Sequence, residues 1–245
     1  AAATDLQAKL SGGKANTLFA VSANYRNEGT VLPGNNSYRR AGLHSYIKHT
    51  STNQKFDMAI TMQYTDQATQ LANLSGGNAY LLAPNYPLFA ADGSYNWYAG
   101  TNLAAEATSS SQNKISNFIT NLNLSYRVAK GLSLKLTTGL VSTSTQQQLK
   151  FPSSSLRPNL VNYVQHGNHI NQSGIIEPQL TYDVKHKASS LSLLLGSTLQ
   201  LRSNQRQYLQ ASNYSLEHLM EDWVARKSKP NQGLDAWTRG LNHAI

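Results

Sequence analysis

The chain has 245 residues, enough for one large all-β domain or two ordinary ones. Only 13% of them are charged, too few for an ordinary water-facing surface, and Ser, Thr, Asn and Gln supply the polarity of a hydrated interior instead. The formal net charge of +9 is spread along the whole length, which argues against a nucleic-acid binder, and zero cysteines exclude a disulfide framework or a cysteine metal site.

No run of eighteen apolar residues occurs, so no transmembrane helix is predicted. Barrel strands carry a weaker hydropathy signal and are untouched by that test. The opening Ala1-Ala2-Ala3-Thr4-Asp5 has neither the basic start nor the apolar core of a signal peptide. The expectation is a removed signal or a chain that begins inside a larger protein.

The first predicted strand covers Asp5 to Ser11, with Leu6, Ala8 and Leu10 on one face, and Gly12-Gly13-Lys14-Ala15 turns it. The second covers Thr17 to Arg26, with Phe19, Val21, Ala23 and Tyr25 apolar. A loop with Gly29, Pro33 and Gly34 leads to the third, Tyr38 to His49. After a short turn at Ser51-Thr52-Asn53-Gln54, Phe56, Met58, Ile60, Met62 and Tyr64 alternate with Asp57, Ala59, Thr61, Gln63 and Thr65. Side chains alternate faces along a strand, so this period of two makes one apolar and one polar face.

From Leu71 to Asn113 no period is sustained, and a loop of that length is usually functional or disordered. The fifth strand, Ile115 to Val128, turns at Ala129-Lys130-Gly131 into the sixth, Leu132 to Val141. A second long loop is expected from Phe151 to Ser173. The seventh strand carries Ile176, Leu180, Tyr182 and Val184, with a bulge or local edge at Pro178, which has no N–H for the ladder. Lys185-His186-Lys187 turns into the eighth, with Leu191, Leu193, Leu195, Leu199 and Leu201.

Short and long connections alternate, as in an outer-membrane barrel with short periplasmic turns and longer external loops. The strands are about ten residues, the length that crosses a bilayer at a tilt. Asp5, Lys9, Arg26, Arg40, Lys48, Asp57, Arg127, Lys135, Glu177, Asp183 and Arg202 all take the polar parity, and only Arg39 and His49, near strand ends, take the other. The expected fold is therefore all-β: an antiparallel up-and-down meander of about eight long strands, part of a large transmembrane β-barrel. Two other architectures share the alternation. One is a secreted β-sandwich that binds carbohydrate, and the other a small self-closed eight-stranded outer-membrane barrel.

Leu10-Ser11-Gly12-Gly13, Tyr25-Arg26-Asn27-Glu28-Gly29 and Tyr38-Arg39-Arg40 resemble the middle of the SusC/RagA family of TonB-linked outer-membrane transporters. Asn121 to Arg127 and Gly131 to Lys135 resemble that family's next hairpin, Ile175-Ile176-Glu177-Pro178-Gln179-Leu180-Thr181-Tyr182 is similar to a later strand, and Asn213-Tyr214-Ser215 continues the likeness. The resemblance implies a barrel of about twenty-two strands with a plug. That transporter would sit in the outer membrane of a Gram-negative bacterium and import oligosaccharides or peptides. Its partners would be a SusD-like lipoprotein, the TonB complex and outer-membrane lipid. No enzyme activity, nucleic acid or cofactor is implied. No plug, TonB box or family C-terminal strand is recognised here, so the chain reads as a barrel fragment not transport-competent by itself. Residues 4–221 form the partial barrel domain, with external loops at 27–37, 69–113 and 151–173. Residues 222–245, with Trp223, Arg226 and Trp237, form a tail outside the resemblance. At its start Leu216, Leu219, Met220 and Trp223 have helical spacing, which reads as a packing stripe.

Candidate chemistry is sparse. His166 and His169 lie three apart in the expected polar loop, and a metal site would need further ligands. Glu28, Asp57 and Glu177 fall in separate strands or loops, and Thr108-Ser109-Ser110-Ser111 reads as flexible loop. The substrate-binding candidates are Tyr80, Tyr86, Tyr95, Trp97 and Tyr98, with Phe89 beside them, whose rings would stack on sugar faces at a pore mouth. The plainer readings are that these rings fold the loop or join an interfacial aromatic girdle.

Overall fold

A computed structural model describes residues 2–31, 36–74, 82–98, 100–186, 189–221 and 237–239. The strands are β1 (Ala3–Lys14), β2 (Thr17–Gly29), β3 (Ser37–Thr50), β4 (Phe56–Leu71), β5 (Ser110–Ala129), β6 (Leu132–Phe151), β7 (Tyr163–His186), β8 (Ser189–Gly196), β9 (Leu199–Ser212) and the short β10 (Trp237–Arg239). All belong to one sheet, each paired antiparallel with its sequence neighbour from β1 to β7, after which β8 and β9 share β7. Among the described residues β1 pairs only with β2, and no second sheet lies across either face. The meander is thus neither a sandwich nor a self-closed eight-stranded barrel.

Several strands outrun their apolar pattern. β5, β6 and β7 reach 20, 20 and 24 residues because their polar ends still pair. The loop expected at 151–173 shrinks to the stretch between Phe151 and Tyr163, and that between β4 and β5 runs from 72 to 109. The first turn also moves. Gly12 and Gly13 lie within β1 and pair with Phe19 and Leu18, leaving Ala15 and Asn16 as the turn. A Cβ on Gly12 would stand 3.1 Å from the tip of the Phe19 ring, so the glycine makes room for the ring across the strand. Gly131 closes the β5–β6 turn at φ 80°, where any Cβ would also strike the Asp183 carbonyl.

The bulge expected at Pro178 is not formed. Gln179 stands opposite Gly196 and Ile176 opposite Leu199, so two residues are passed on each strand and the register is kept. The Pro178 carbonyl still accepts from the Ser197 amide at 3.1 Å. Only the donor that proline lacks is missing, and the predicted eighth strand divides there into β8 and β9.

Register decides the faces. On the outer face Phe56, Met58, Ile60, Met62 and Tyr64 of β4 stand opposite Tyr126, Leu124, Leu122, Thr120 and Phe118 of β5. The same face continues through Leu134, Leu136 and Leu140 of β6, Ile176, Leu180 and Tyr182 of β7, and Leu191, Leu193, Leu195, Leu199 and Leu201 beyond. From Phe56 to Tyr64 the band runs about 26 Å along the strand, the scale of a lipid-facing belt. Tyr25, Tyr64 and Phe118 stand at its upper edge, and Phe19, Phe56, Tyr126 and Tyr182 at its lower edge. Aromatic side chains there match the two girdles of a barrel. With a single layer there is little conventional core. One small cluster, Val164, Ala211, Tyr214 and Met220, closes the upper end of β7 and β9.

Candidate functional site

The inner face follows from the opposite parity, and all eleven charged residues assigned to it from the sequence lie on it. Several of its polar groups are paired with each other. Arg26 donates to Glu28 at 2.7 Å and lies 3.7 Å from Asp5. Thr50 donates to Asp57 at 2.7 Å, Thr137 to Asn123 at 3.1 Å, Thr143 to Asn117 at 2.9 Å, and Thr198 to Glu177 at 3.2 Å. Glu28, Asp57 and Glu177 each have a partner of their own on β2, β3 or beside β7, and form no shared acid–base pair.

Two of the hollows on this face combine basic and other polar side chains. One of about 480 Å³ is lined by Gln7, Lys9, Asn24, Arg40, His44 and Gln63, with Lys9 of β1 and Arg40 and His44 of β3 contributing basic side chains. The other, about 390 Å³, has Gly167 as a floor without a side chain, with Gln147, His169, Arg206 and Tyr208 around it. Sequence reasoning missed both. The parity of Lys9 and Arg40 was readable, but that they share a hollow is decided by pairing between β1, β2 and β3.

His166 and His169 do not lie in a loop. Both belong to β7, where a spacing of three places them on opposite faces. His169 Nε2 is 2.7 Å from the Asn204 side-chain oxygen on the inner face, and His166 faces outward beside Gln148. The two rings cannot share a metal ion.

The β4–β5 loop is built around one residue that sequence reasoning did not single out. Asn102 is 1% exposed. Its side-chain oxygen accepts from the Ala105 amide at 3.0 Å and caps the one-turn helix α1 (Leu103–Glu106). Its side-chain nitrogen donates to the Leu88 carbonyl at 2.6 Å and the Asn96 carbonyl at 2.9 Å. One amide thus ties together the two arms of the loop and the helix that follows. Thr108 donates to the Ala105 carbonyl at 2.7 Å and Ser109 to the Glu106 carbonyl at 2.6 Å, while Ser110 and Ser111 begin β5. The serine run is therefore an ordered return to the sheet and not a flexible loop.

The aromatic candidates gather on that frame. Phe89 bridges Tyr95 across a tight turn, with ring centroids 5.4 Å apart. Tyr95 meets Trp97 edge-on at 6.3 Å, and Tyr86 meets Tyr98 edge-on at 5.6 Å. At the turn, Asp92 accepts from the Ser94 hydroxyl at 2.6 Å and its amide at 2.9 Å, and these bonds hold the Asp92 carboxyl below the usual carboxylate range. The rings belong to the loop between β4 and β5 and not to the strands themselves. Tyr86, Tyr95 and Trp97 are half-buried against their neighbours, whereas Phe89 and Tyr98 remain 52% and 45% exposed. Tyr80 lies outside the described residues. In the segment after β9, Met220 is buried and Leu216 exposed, and residues 222–236 also lie outside the described residues.

This fold is similar to a chain of the RagAB peptide importer in its closed-closed state, with a TM-score of 0.78 and 15% sequence identity, covering 98% of this chain and 28% of that one. In the open-open state of the same importer the values are 0.77 and 15%, over 97% and 28%. The ferripyoverdine receptor of the outer membrane of Pseudomonas aeruginosa matches at a TM-score of 0.53 and 14% identity, over 98% of this chain and 31% of the receptor. At such identities the likeness is one of fold. It is the fold that the SusC/RagA-like motifs implied, and the chain spans less than a third of the transporter and receptor chains it matches. No protein-family model and no curated protein matches the sequence.

Proposed function

We propose that this chain is a section of the wall of a TonB-dependent outer-membrane transporter, in a Gram-negative bacterium, that imports peptides or oligosaccharides. The observation that carries the reading is the sheet's division into an outward apolar band edged by aromatic rings and an inward face of paired polar groups, within a fold similar to the RagAB importer. Lipid on one side and water on the other require that division. A section of wall cannot close a pore or gate one, so transport belongs to the longer protein. We assign residues 4–221 to the wall, and of 222–245 Trp237–Arg239 add a short strand beside β9. The parent works with TonB and, as in the SusC/RagA family, with a SusD-like lipoprotein at its outer mouth. It performs no chemistry on its cargo.

Within that reading, the loop rings at Tyr80, Tyr86, Tyr95, Trp97 and Tyr98 contact cargo at the mouth. Tyr98 and the adjoining Phe89 present the most accessible faces, and the half-buried rings hold them in place. Peptide is favoured over oligosaccharide because the similar importer is a peptide importer and because the inner hollows carry Lys9, Arg40 and Arg206, suited to carboxylates. The test is uptake of labelled oligopeptides and oligosaccharides by cells with and without the full-length parent. Saturable peptide uptake that needs both the parent and TonB supports the proposal. Unchanged uptake of both cargoes in the deletion strain overturns it.

A further inference from the structure

Gly167 lies within β7 on the inward parity, where a strand gains nothing from a glycine. Its backbone freedom and missing side chain weaken the strand. Two structural needs could still require it, and neither is present. Its φ is not positive, and a Cβ would meet only Gln147, at an ordinary 3.7 Å. At Gly13, Gly42 and Gly139, also inward, a Cβ would come within 3.1 Å of a neighbouring atom. Nor is Gly167 covered by the ring opposite it, as Gly12 is by Phe19. No atom of Tyr208 comes within 4 Å of that Cβ position. The Tyr208 hydroxyl donates instead to the Gln210 side-chain oxygen at 3.3 Å, which also accepts from the Gln165 side chain at 2.9 Å. What Gly167 provides is therefore empty space, the hollow of about 390 Å³.

The two sides of that space differ in chemistry. Level with Gly167 are the Tyr208 ring and the aliphatic stem of Gln147. One step down the same face, His169 and Arg206 stand opposite each other, with Thr145 beside them on β6. The step is two residues, roughly 7 Å along a strand. Among the described residues no carboxylate lines the hollow or pairs with Arg206. His169 Nε2 is tied to the Asn204 side-chain oxygen at 2.7 Å, which holds the imidazole beside Arg206. The hollow thus offers a cation for an anionic group and, one step above, a cleft for an apolar one. A carboxylate is the anion that a planar guanidinium grips with two parallel bonds. In a peptide only the C-terminal residue carries a carboxylate and an apolar side chain on the same carbon. An aspartate or glutamate side chain would satisfy Arg206 and leave the space over Gly167 empty. A neutral saccharide would fill the space and leave the guanidinium without its anion.

We infer that the hollow over Gly167 is the subsite for the C-terminal residue of a peptide, with its carboxylate on Arg206 and its apolar side chain against Tyr208. The inference rests on the peptide-importer reading and goes beyond it in fixing which end of the cargo this wall recognises. The test uses cells producing the full-length parent. Uptake of a labelled oligopeptide is competed with unlabelled peptides that differ only at the C-terminus. In wild type, amidation should raise the half-inhibiting concentration roughly tenfold or more, as loss of a charge-assisted bidentate contact does. Replacing a terminal Phe by Gly should raise it several-fold. Arg206→Gln should bring acid and amide within about twofold of each other. Gly167→Leu, whose Cβ the strand accommodates, should abolish the preference for Phe over Gly. Both variants should keep the wild-type outer-membrane level, and Arg202→Gln should keep the wild-type competition pattern. Equal competition by acid and amide in wild type overturns the inference and needs no variant. So does an acid preference that survives Arg206→Gln, a Phe preference that survives Gly167→Leu, or stronger competition by a neutral oligosaccharide than by either peptide. If wild-type cells show no saturable peptide uptake, the peptide-importer reading itself fails, and the inference with it.

Discussion

Ser116 donates its hydroxyl to the Asp66 carboxylate at 2.8 Å, one outward pair beyond the facing rings of Tyr64 and Phe118. On the proposed membrane reading, a carboxylate held by a neighbour on the outer face marks where hydrocarbon stops. Below it the outward positions of β4 and β5 carry no charge down to Phe56 and Tyr126. A charge there would lack both water and a partner, at a cost of about 2–4 kcal/mol for a basic residue at mid-depth.

The two faces of β5 should therefore respond differently to the same change. Leu122 stands opposite Ile60 in the middle of the band, and Asn121 faces inward beside it. In the full-length parent, Leu122→Lys should reduce the outer-membrane level to a small fraction of wild type, while Asn121→Lys stays within about twofold, given the depth dependence of lipid-facing charge. Quantitative blotting of outer-membrane fractions measures both. Equal levels would refute the assignment of faces.

Asn102 should govern the order of the aromatic loop without affecting the wall. Asn102→Ala removes one cap and two bonds to part-buried carbonyls, each unsatisfied group costing about 1–3 kcal/mol when fully desolvated. Limited proteolysis should then cut between residues 82 and 101 at least tenfold faster, while the barrel's heat-modifiable mobility stays unchanged. Cleavage at the wild-type rate would show that the ring contacts alone hold the loop.

Gly131 should be intolerant of any side chain. Its φ of 80° costs an L-residue about 1–2 kcal/mol, before the clash with the Asp183 carbonyl. Gly131→Ala should lower the temperature at which the folded parent loses its compact gel mobility, and Lys130→Ala in the same turn should not. An unchanged transition in Gly131→Ala would mean that the turn relaxes freely.

The sheet's free edges make a prediction for the 245-residue chain in isolation. Among the described residues β1 has no partner beyond β2, and β8 has none beyond β7. In lipid each unpaired backbone group costs several kcal/mol, so an open sheet should pair edge to edge or curl until its edges meet. With Leu6→Cys and Leu195→Cys introduced, oxidation in lipid should give a crosslinked dimer or an internal loop. A membrane-inserted monomer that forms neither would contradict the argument.

What the sequence determined alone is what a period of two encodes locally. Met58, Ile60 and Met62 against Ala59 and Thr61, or Leu191, Leu193 and Leu195 against Ser190 and Ser192, name a strand and its lipid face without reference to any neighbour. The tight turns at Lys130-Gly131 and Ser51 to Gln54 were readable for the same reason. The tertiary structure decided what has no period. Ser142 to Gln148 is polar on both parities, and so is most of Gln165 to Ser173; only pairing between β6 and β7 makes these strands, and so moves His166 and His169 from a loop onto opposite faces. Pro178 looked like a ladder-breaker in sequence, yet its neighbours on both sides keep the register and confine the loss to one bond. Asn102 carries no local signature beyond a helix cap, because its two other bonds reach Leu88 and Asn96, whose carbonyls come near only once the loop has folded. Alternation is written into each strand by its own residues, whereas register, shared hollows and buried amide contacts belong to pairs of segments and exist only when the chain is assembled.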